Sequence, residues 1–357
     1  MTKEKILEAL SNVQEPDLGK DLVTLNMVQD IEIDGNYVSF TVVLTTPACP
    51  LKDMIKNACI NAVKLLVSKE AVVNVKFTAN TSSKRTDEGA VLPRVKNIIA
   101  VVSGKGGVGK STVAANLALA LSQGGAKVGL MDADIYGPSV PIMFGVRGER
   151  PMMMEVGEEK AMIAPLEKFG IKLMSIGLLV DEKSAVVWRG PMASSAIRQF
   201  VTDVYWDELD YLVVDMPPGT GDIHLTLMQT VPVTGAVIVT TPQDVALADA
   251  RKGIAMFGQA QMNVPVIGLV ENMSYFTPAE LPENKYYIFG KDGGKRLAEE
   301  YDLPFLGQIP LVQGIREGGD TGVPALMGED EITKGAFRDF ASVVVRSIAM
   351  RNADMKG

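Results

Sequence analysis

Gly104-Lys105-Gly106-Gly107-Val108-Gly109-Lys110-Ser111 fits the phosphate-binding loop pattern G-x-x-x-x-G-K-[ST], and it decides how the rest of the chain is read. Glycines without a Cβ let successive backbone N–H groups curl around phosphate oxygens. Lys110 brings a point charge and Ser111 a hydroxyl for Mg2+. Upstream, Asn97-Ile98-Ile99-Ala100-Val101-Val102 predicts a buried strand; downstream, an Ala- and Leu-rich run over 111–121 predicts a helix whose N-terminus faces the phosphates. A ligand-free glycine turn would need neither flank. The expected binding set for a nucleoside triphosphate is Gly104, Lys105, Gly106, Gly107, Val108, Gly109, Lys110, Ser111 and Thr112.

Working outward from the loop, apolar strands are expected over 127–131, 211–214, 236–240 and 266–270, separated by segments long enough for crossover helices. That alternation predicts an α/β fold, a mostly parallel sheet covered by helices on both faces, over 95–357. The first 78 residues read as a separate, small α+β domain. It has a helix over 3–10, a hairpin of strands over 23–33 and 36–44 turning at Asp34-Gly35, a helix over 51–67 and a strand over 71–77. Between the two, 79–94 reads as a polar linker.

Two acidic stations follow the loop at strand ends, where ligands bind in open α/β sheets. The apolar run Leu212-Val213-Val214 ends in Asp215, the expected carboxylate that organises Mg2+ through water. Asp134, on a loop leaving the neighbouring strand, is expected to orient the attacking water. An Asp after a strand otherwise serves as a turn or cap, and only the upstream loop favours the catalytic reading. Asp132 reads as structural. Pro217-Pro218-Gly219 with Gly221 reads as a loop able to sense the γ-phosphate.

Composition is that of an ordinary globular protein: 357 residues, 47% apolar and 22% charged, with 43 acids against 35 Lys and Arg, a net charge of −8. That balance argues against a nucleic-acid partner. No apolar run reaches membrane-spanning length, and the polar start Met1-Thr2-Lys3-Glu4-Lys5 is unlike a signal peptide, so a cytoplasmic protein without membrane contact is expected. A single histidine, His224, rules out most histidine-based metal and triad chemistry and reads as a helix residue without catalytic duty. Of the two cysteines, Cys59 reads as core. Cys49, between prolines ahead of a helix, is the candidate reactive thiol; the helix dipole is expected to lower its pKa, the alternative being an inert buried thiol.

Lys105, directly after the first glycine, resembles the signature lysine of the deviant loop G-K-G-G-x-G-K-[ST] of the MinD/ParA/nitrogenase-iron-protein class. There it reaches a partner subunit's nucleotide, whereas a solvated loop lysine is the alternative. Within that class the chain resembles the Mrp/ApbC family of iron–sulfur cluster ATPases. The matching pieces are Asp132-Ala133-Asp134-Ile135-Tyr136-Gly137-Pro138-Ser139, Val187-Trp188-Arg189-Gly190-Pro191-Met192, Asp215-Met216-Pro217-Pro218-Gly219-Thr220-Gly221-Asp222 and Val270-Glu271-Asn272-Met273-Ser274. Thr45-Thr46-Pro47-Ala48-Cys49-Pro50 is similar to the small domain fused to many family members. The resemblance implies ATP and Mg2+ as cofactors, Asn272 at the adenine edge, a homodimer, and apo iron–sulfur clients or assembly factors as partners. It also implies a Cys-x-x-Cys after the Asn-Met segment; here 274–290 holds no cysteine, which leaves Cys49 as the candidate iron–sulfur ligand. Three readings follow: a cluster carrier, a nucleotide-switched scaffold without metal, or a membrane- or DNA-positioning ATPase. The last is disfavoured because the C-terminal helix over 336–351 carries no apolar and basic tail.

Overall fold

The computed structural model describes the chain apart from residues 82–90, 157–159, 181–189, 260, 261, 263, 279, 282 and 355–357. It divides into two compact units, Met1–Ser83 with Ile348–Gly357, and Lys84–Ser347.

The first unit holds α1 (Lys3–Leu10), β1 (Val28–Asp34), β2 (Tyr37–Leu44), α2 (Lys52–Leu66) and β3 (Val72–Ala79). β1 and β2 pair antiparallel, and β2 and β3 pair parallel. Phe40, Val42, Ile55, Cys59 and Val63 form part of one core. The strand expected over 23–33 is shorter than the alternation implied. Asp21 Oδ1 accepts from Val23 N at 3.0 Å and Thr24 N at 2.8 Å, an Asx turn that draws 22–27 into a bend with Asn26 left-handed at φ 54°. β1 starts at Val28, and a bulge at Asp30 (φ 50°) shifts its register.

In the second unit the chain runs β4 (Val95–Val102), α3 (Lys110–Gln123), β5 (Val128–Asp132), β6 (Leu166–Lys168), β7 (Ile171–Ser175), α4 (Gly190–Asp203), β8 (Leu209–Asp215), α5 (Asp222–Thr230), β9 (Gly235–Thr240), α6 (Asp244–Phe257), β10 (Val266–Glu271), α7 (Gly293–Glu300), β11 (Phe305–Gln308), α8 (Gln313–Thr321) and, up to Ser347, α9 (Glu331–Asp354). A hairpin of Met153–Val156 with Lys160–Ile163 stands apart from the main sheet. The eight-stranded sheet has the order β6-β7-β5-β8-β4-β9-β10-β11. All its pairings are parallel except that of the edge strand β6, which folds back on β7 and which the sequence pattern did not announce. Every residue of β5, β8 and β9 is buried, as strands covered on both faces require. α3 is buried nearly all round, which explains its lack of a polar stripe. Its one amide inside that core, Asn116, is satisfied: Nδ2 donates to Thr112 O at 2.9 Å, and Oδ1 accepts from Leu326 N at 2.9 Å. From β4 the chain first builds towards β5 and later towards β9, so the order reverses at β4, where the loop emerges. Among the described residues no helix is long and apolar enough to cross a membrane.

Candidate active site

The loop between β4 and α3 takes its shape from where side chains cannot go. A Cβ on Gly104 would lie 2.1 Å from the Asp249 carbonyl oxygen of α6, so only glycine allows that approach. Gly109, left-handed at φ 81°, would place a Cβ 2.2 Å from Asn272 Nδ2. By contrast Gly106 and Gly107 meet nothing within 4 Å: they face open space, the cradle a phosphate group needs. Above them opens a cavity of about 520 Å3 lined by the loop, Ser111, Thr112, Asp134, Pro218 and Asn272.

Lys110 is 6% exposed and turned onto carboxylates. Its Nζ pairs closely with Asp215 Oδ1, lies 3.7 Å from Asp134 Oδ2 and donates to Ser111 Oγ at 3.3 Å. Asp215 is wholly buried and its second oxygen, Oδ2, has no hydrogen-bond partner among the described residues. Burial pushes its pKa up, and Lys110 opposes that rise. An open glycine cradle, a lysine gripped by two carboxylates and the Ser111 hydroxyl, and an orphaned carboxylate oxygen fit a Mg2+-bound triphosphate.

Parallel pairing explains how residues distant in sequence meet. Asp215 on β8 stands opposite Asp132 on β5, which stands opposite Ser175 on β7. Asp132, read from the sequence as structural, has partners that the sequence does not name. Its Oδ2 accepts from Ser175 Oγ at 2.9 Å and Val140 N at 3.3 Å, and its Oδ1 from Asp134 N at 3.1 Å. It thereby fixes the loop that carries Asp134, whose Oδ1 accepts from Tyr136 N at 3.2 Å and Gly137 N at 3.3 Å. Burial first and Asp215 second push the Asp132 pKa up to about 7. The signal was present in the sequence as a second Asp directly at the strand end.

Asn272 is buried, and its Nδ2 donates to Val108 O at 2.8 Å, clamping the phosphate loop from β10. That bond uses one of the two Nδ2 hydrogens and leaves the other, with Oδ1, for an adenine contact. Gly219 N donates to Ser103 O at 3.0 Å, tying the Pro217-Pro218-Gly219 loop to the strand before the phosphate loop. His224 sits in α5 as expected, buried, with Nε2 donating to Pro217 O at 2.9 Å. Desolvation lowers its pKa. Lys105 stands half-buried on the loop. A wall the sequence reading did not assign, Pro310 to Val312 with Ile315 and Arg316 of α8, closes the cavity's far side. Arg316 is held by Asp320 at 3.0 Å and Glu317 at 2.9 Å.

The thiols lie in the first unit. Cys59 is fully buried in α2, and burial raises its pKa to about 12. The expected lowering at Cys49 is corrected: half-burial dominates and raises its pKa, with Glu15 and Asp17 adding to the rise, against a backbone N–H from Leu51. A helix terminus cannot offset desolvation beside two carboxylates. Among the described residues no three His, Cys, Asp or Glu side chains are grouped to hold a metal ion. In the segment after Asn272, Phe276 bridges Tyr286 and Leu311, and Glu280 and Glu283 are exposed.

A doubly covered parallel sheet with this loop and these carboxylates at its strand ends defines a phosphate-loop nucleoside triphosphatase. Comparison with known proteins narrows the class. The ParA family, described as NUBPL iron-transfer P-loop NTPase, matches residues 94–345, and an iron-sulfur cluster assembly protein family matches 3–77. The iron-sulfur cluster carrier protein of Synechocystis sp. is 52% identical over 332 residues, 93% of each chain. That of Deinococcus radiodurans is 47% identical over 349 residues, 98% of this chain and 96% of its own. A solved nucleotide-binding protein of Archaeoglobus fulgidus in complex with ADP shares 38% identity, covers 68% of this chain and 94% of its own, and superposes with a TM-score of 0.58. The chain belongs to the Mrp/ApbC family of iron–sulfur cluster carrier proteins, and it is a P-loop ATPase.

Proposed function

We propose that the chain works in the cytoplasm as a homodimer that hydrolyses ATP to load iron–sulfur clusters onto apo client proteins or assembly factors. Residues 1–78 serve as the cluster-facing part, 79–94 as linker and 95–357 as the ATPase. The observation that carries this reading is Lys110 gripped by Asp215 beside an open glycine cradle, in a chain matched to cluster carriers over nearly its whole length. ATP would draw Lys110 from the carboxylates to its β- and γ-phosphate oxygens, while the backbone N–H groups of 106–111 hold the same oxygens. Ser111 and, through water, Asp215 would hold Mg2+, which when bound supplies positive charge against the triphosphate. Asp134 orients the water that attacks the γ-phosphorus as the bond to the β-phosphate oxygen breaks. Lys105 places its charge on the partner subunit's nucleotide, and Asn272 meets the adenine.

The cargo must be held sparingly. With two cysteines in the chain and Cys59 inaccessible, one Cys49 per subunit gives a dimer two thiolates, fewer than the four that usually hold a cluster. Remaining iron positions fall to a small thiol or to the client's cysteines, so binding is labile. Anaerobic reconstitution of wild type and Cys49→Ser with iron and sulfide, followed by desalting and assay of bound iron and sulfide, tests this. Cluster content lost in Cys49→Ser is expected. Equal, substantial content in both would remove Cys49 as a ligand, and none in either would favour a metal-free, nucleotide-switched scaffold.

A further inference from the structure

Pro217-Pro218-Gly219 leads from the end of β8 towards α5 and has little with which to hold itself. Neither proline has an N–H to donate. Gly219, left-handed at φ 93°, ends the run with its N–H on Ser103 O at 3.0 Å. Pro218 lines the same cavity as Ser111 and Asp134. The shape of this loop therefore sets part of the wall around the space where the triphosphate must sit.

His224 reaches back to that loop from the first turn of α5, and its Nε2 lies 2.9 Å from Pro217 O. A carbonyl oxygen can only accept, so Nε2 carries the ring proton. Desolvation lowers the pKa of the ring, which is uncharged near neutrality, and Nδ1 is therefore bare. Nδ1 has no partner among the described residues, so the bond to Pro217 is the ring's one hydrogen bond there. α5 is itself seated in the core of the unit by Ile223 and Leu227. A leucine at 224 would bury as well without leaving a nitrogen unmatched, so packing does not account for the imidazole. What the imidazole adds is a fixed direction for the Pro217 carbonyl, and with it for the planar peptide that leads into Pro218.

We propose that His224 is a positioning residue for ATP hydrolysis, holding the Pro217-Pro218-Gly219 loop in the shape that the reaction needs. The ring does not line the cavity, so it acts through the loop and not on the substrate. This role rests on the cavity being the nucleotide site and is independent of the cluster reading.

His224 is the chain's single histidine, so nitrogen-15 NMR of its ring in the full-length protein gives one set of signals. In the wild type the Nε2–H tautomer is expected. Because the loop it grips borders the cavity, its signals should shift when Mg2+-ADP is exchanged for Mg2+ with a non-hydrolysable ATP analogue. An Nδ1–H tautomer, a doubly protonated ring, or signals identical with the two nucleotides would overturn the proposal. These spectra need no variant, so a substituted chain that failed to fold would leave the test standing. Turnover supplies the second measurement, with His224→Leu removing the donor and His224→Gln offering an uncharged N–H in its place. His224→Leu is expected to lower kcat roughly five- to tenfold, the worth of one buried hydrogen bond. Its KM should stay within about twofold of wild type, with the nucleotide stoichiometry by titration calorimetry unchanged, so that the loss lies in turnover and not in the folded fraction. His224→Gln should recover most of that kcat. Wild-type kcat in His224→Leu, or equal losses in the two variants, would overturn the role of the bond. Lys110→Ala keeps the two readings apart: ATP binding retained there would overturn the nucleotide site and this proposal with it, whereas a failure confined to the His224 variants leaves the site standing.

Discussion

Replacing Gly109 by Ala should damage the phosphate loop in two ways that share one cause, and that sharing can be measured. Gly109 is left-handed at φ 81°, where an alanine costs about 1–2 kcal/mol. Its new Cβ would also lie 2.2 Å from Asn272 Nδ2, too close to keep, so Asn272 must withdraw from Val108 O. A buried carbonyl left unpaired costs about 1–3 kcal/mol. Gly109→Ala should therefore lower stability by about 2–5 kcal/mol, the sum of those two effects. Asn272→Ala alone breaks only the hydrogen bond and should cost about 1–3 kcal/mol. In the double variant the bond is lost once, not twice, so it should be no less stable than Gly109→Ala, leaving a coupling of about 1–3 kcal/mol. Urea unfolding followed by circular dichroism supplies the four stabilities, and ATP titration calorimetry checks that affinity follows the same non-additive pattern. Strict additivity would refute the idea that Asn272 acts as the clamp on the loop.

Lys110→Ala should abolish ATP binding and turnover while the circular dichroism spectrum stays native; wild-type-like hydrolysis would overturn the site. Lys105→Ala should bind ATP but hydrolyse it poorly, and mixing it with Asp134→Asn should restore activity above the sum of the two, because heterodimers hold one site with both groups intact. Asp132 has a folded pKa raised from 3.8 to about 7, so the folded state binds the extra proton and stability falls as pH rises through that window. Asp132→Asn removes that loss, so urea unfolding should show the variant gaining on wild type between pH 5 and pH 8, and a pH-independent difference would contradict the burial argument.

The phosphate loop, its strand and its helix were legible because each has a local signature: glycines at fixed spacing, an apolar run, an Ala-rich run. Asp215 was legible for the same reason, as an acid ending a strand downstream of that loop. Asp132 was legible only as structural; its partners, Ser175 and the backbone of Asp134 and Val140, are contacts that only the fold creates. The wall at Pro310 to Arg316 was hidden likewise, its residues reaching the cavity through β11 and α8 rather than through a motif. Asn272 was read from family likeness as an adenine contact; its grip on Val108 O needed the placement of β10 beside β9. Cys49 failed on energetics: a helix start is visible in sequence, whereas the burial and nearby carboxylates that outweigh its dipole are not.

Gly104 sits directly against the main chain of α6, with no room for even a methyl group between them. Such backbone-on-backbone seating transmits displacement without slack, since no side chain can rotate to absorb it. The first residue of the phosphate loop and the Asp249 turn of α6 should therefore open and close as one cooperative piece, with amide hydrogens that exchange together. That helix presents Val245 and Lys252 to solvent, so whatever grips its outer side has a stiff rod leading to the nucleotide.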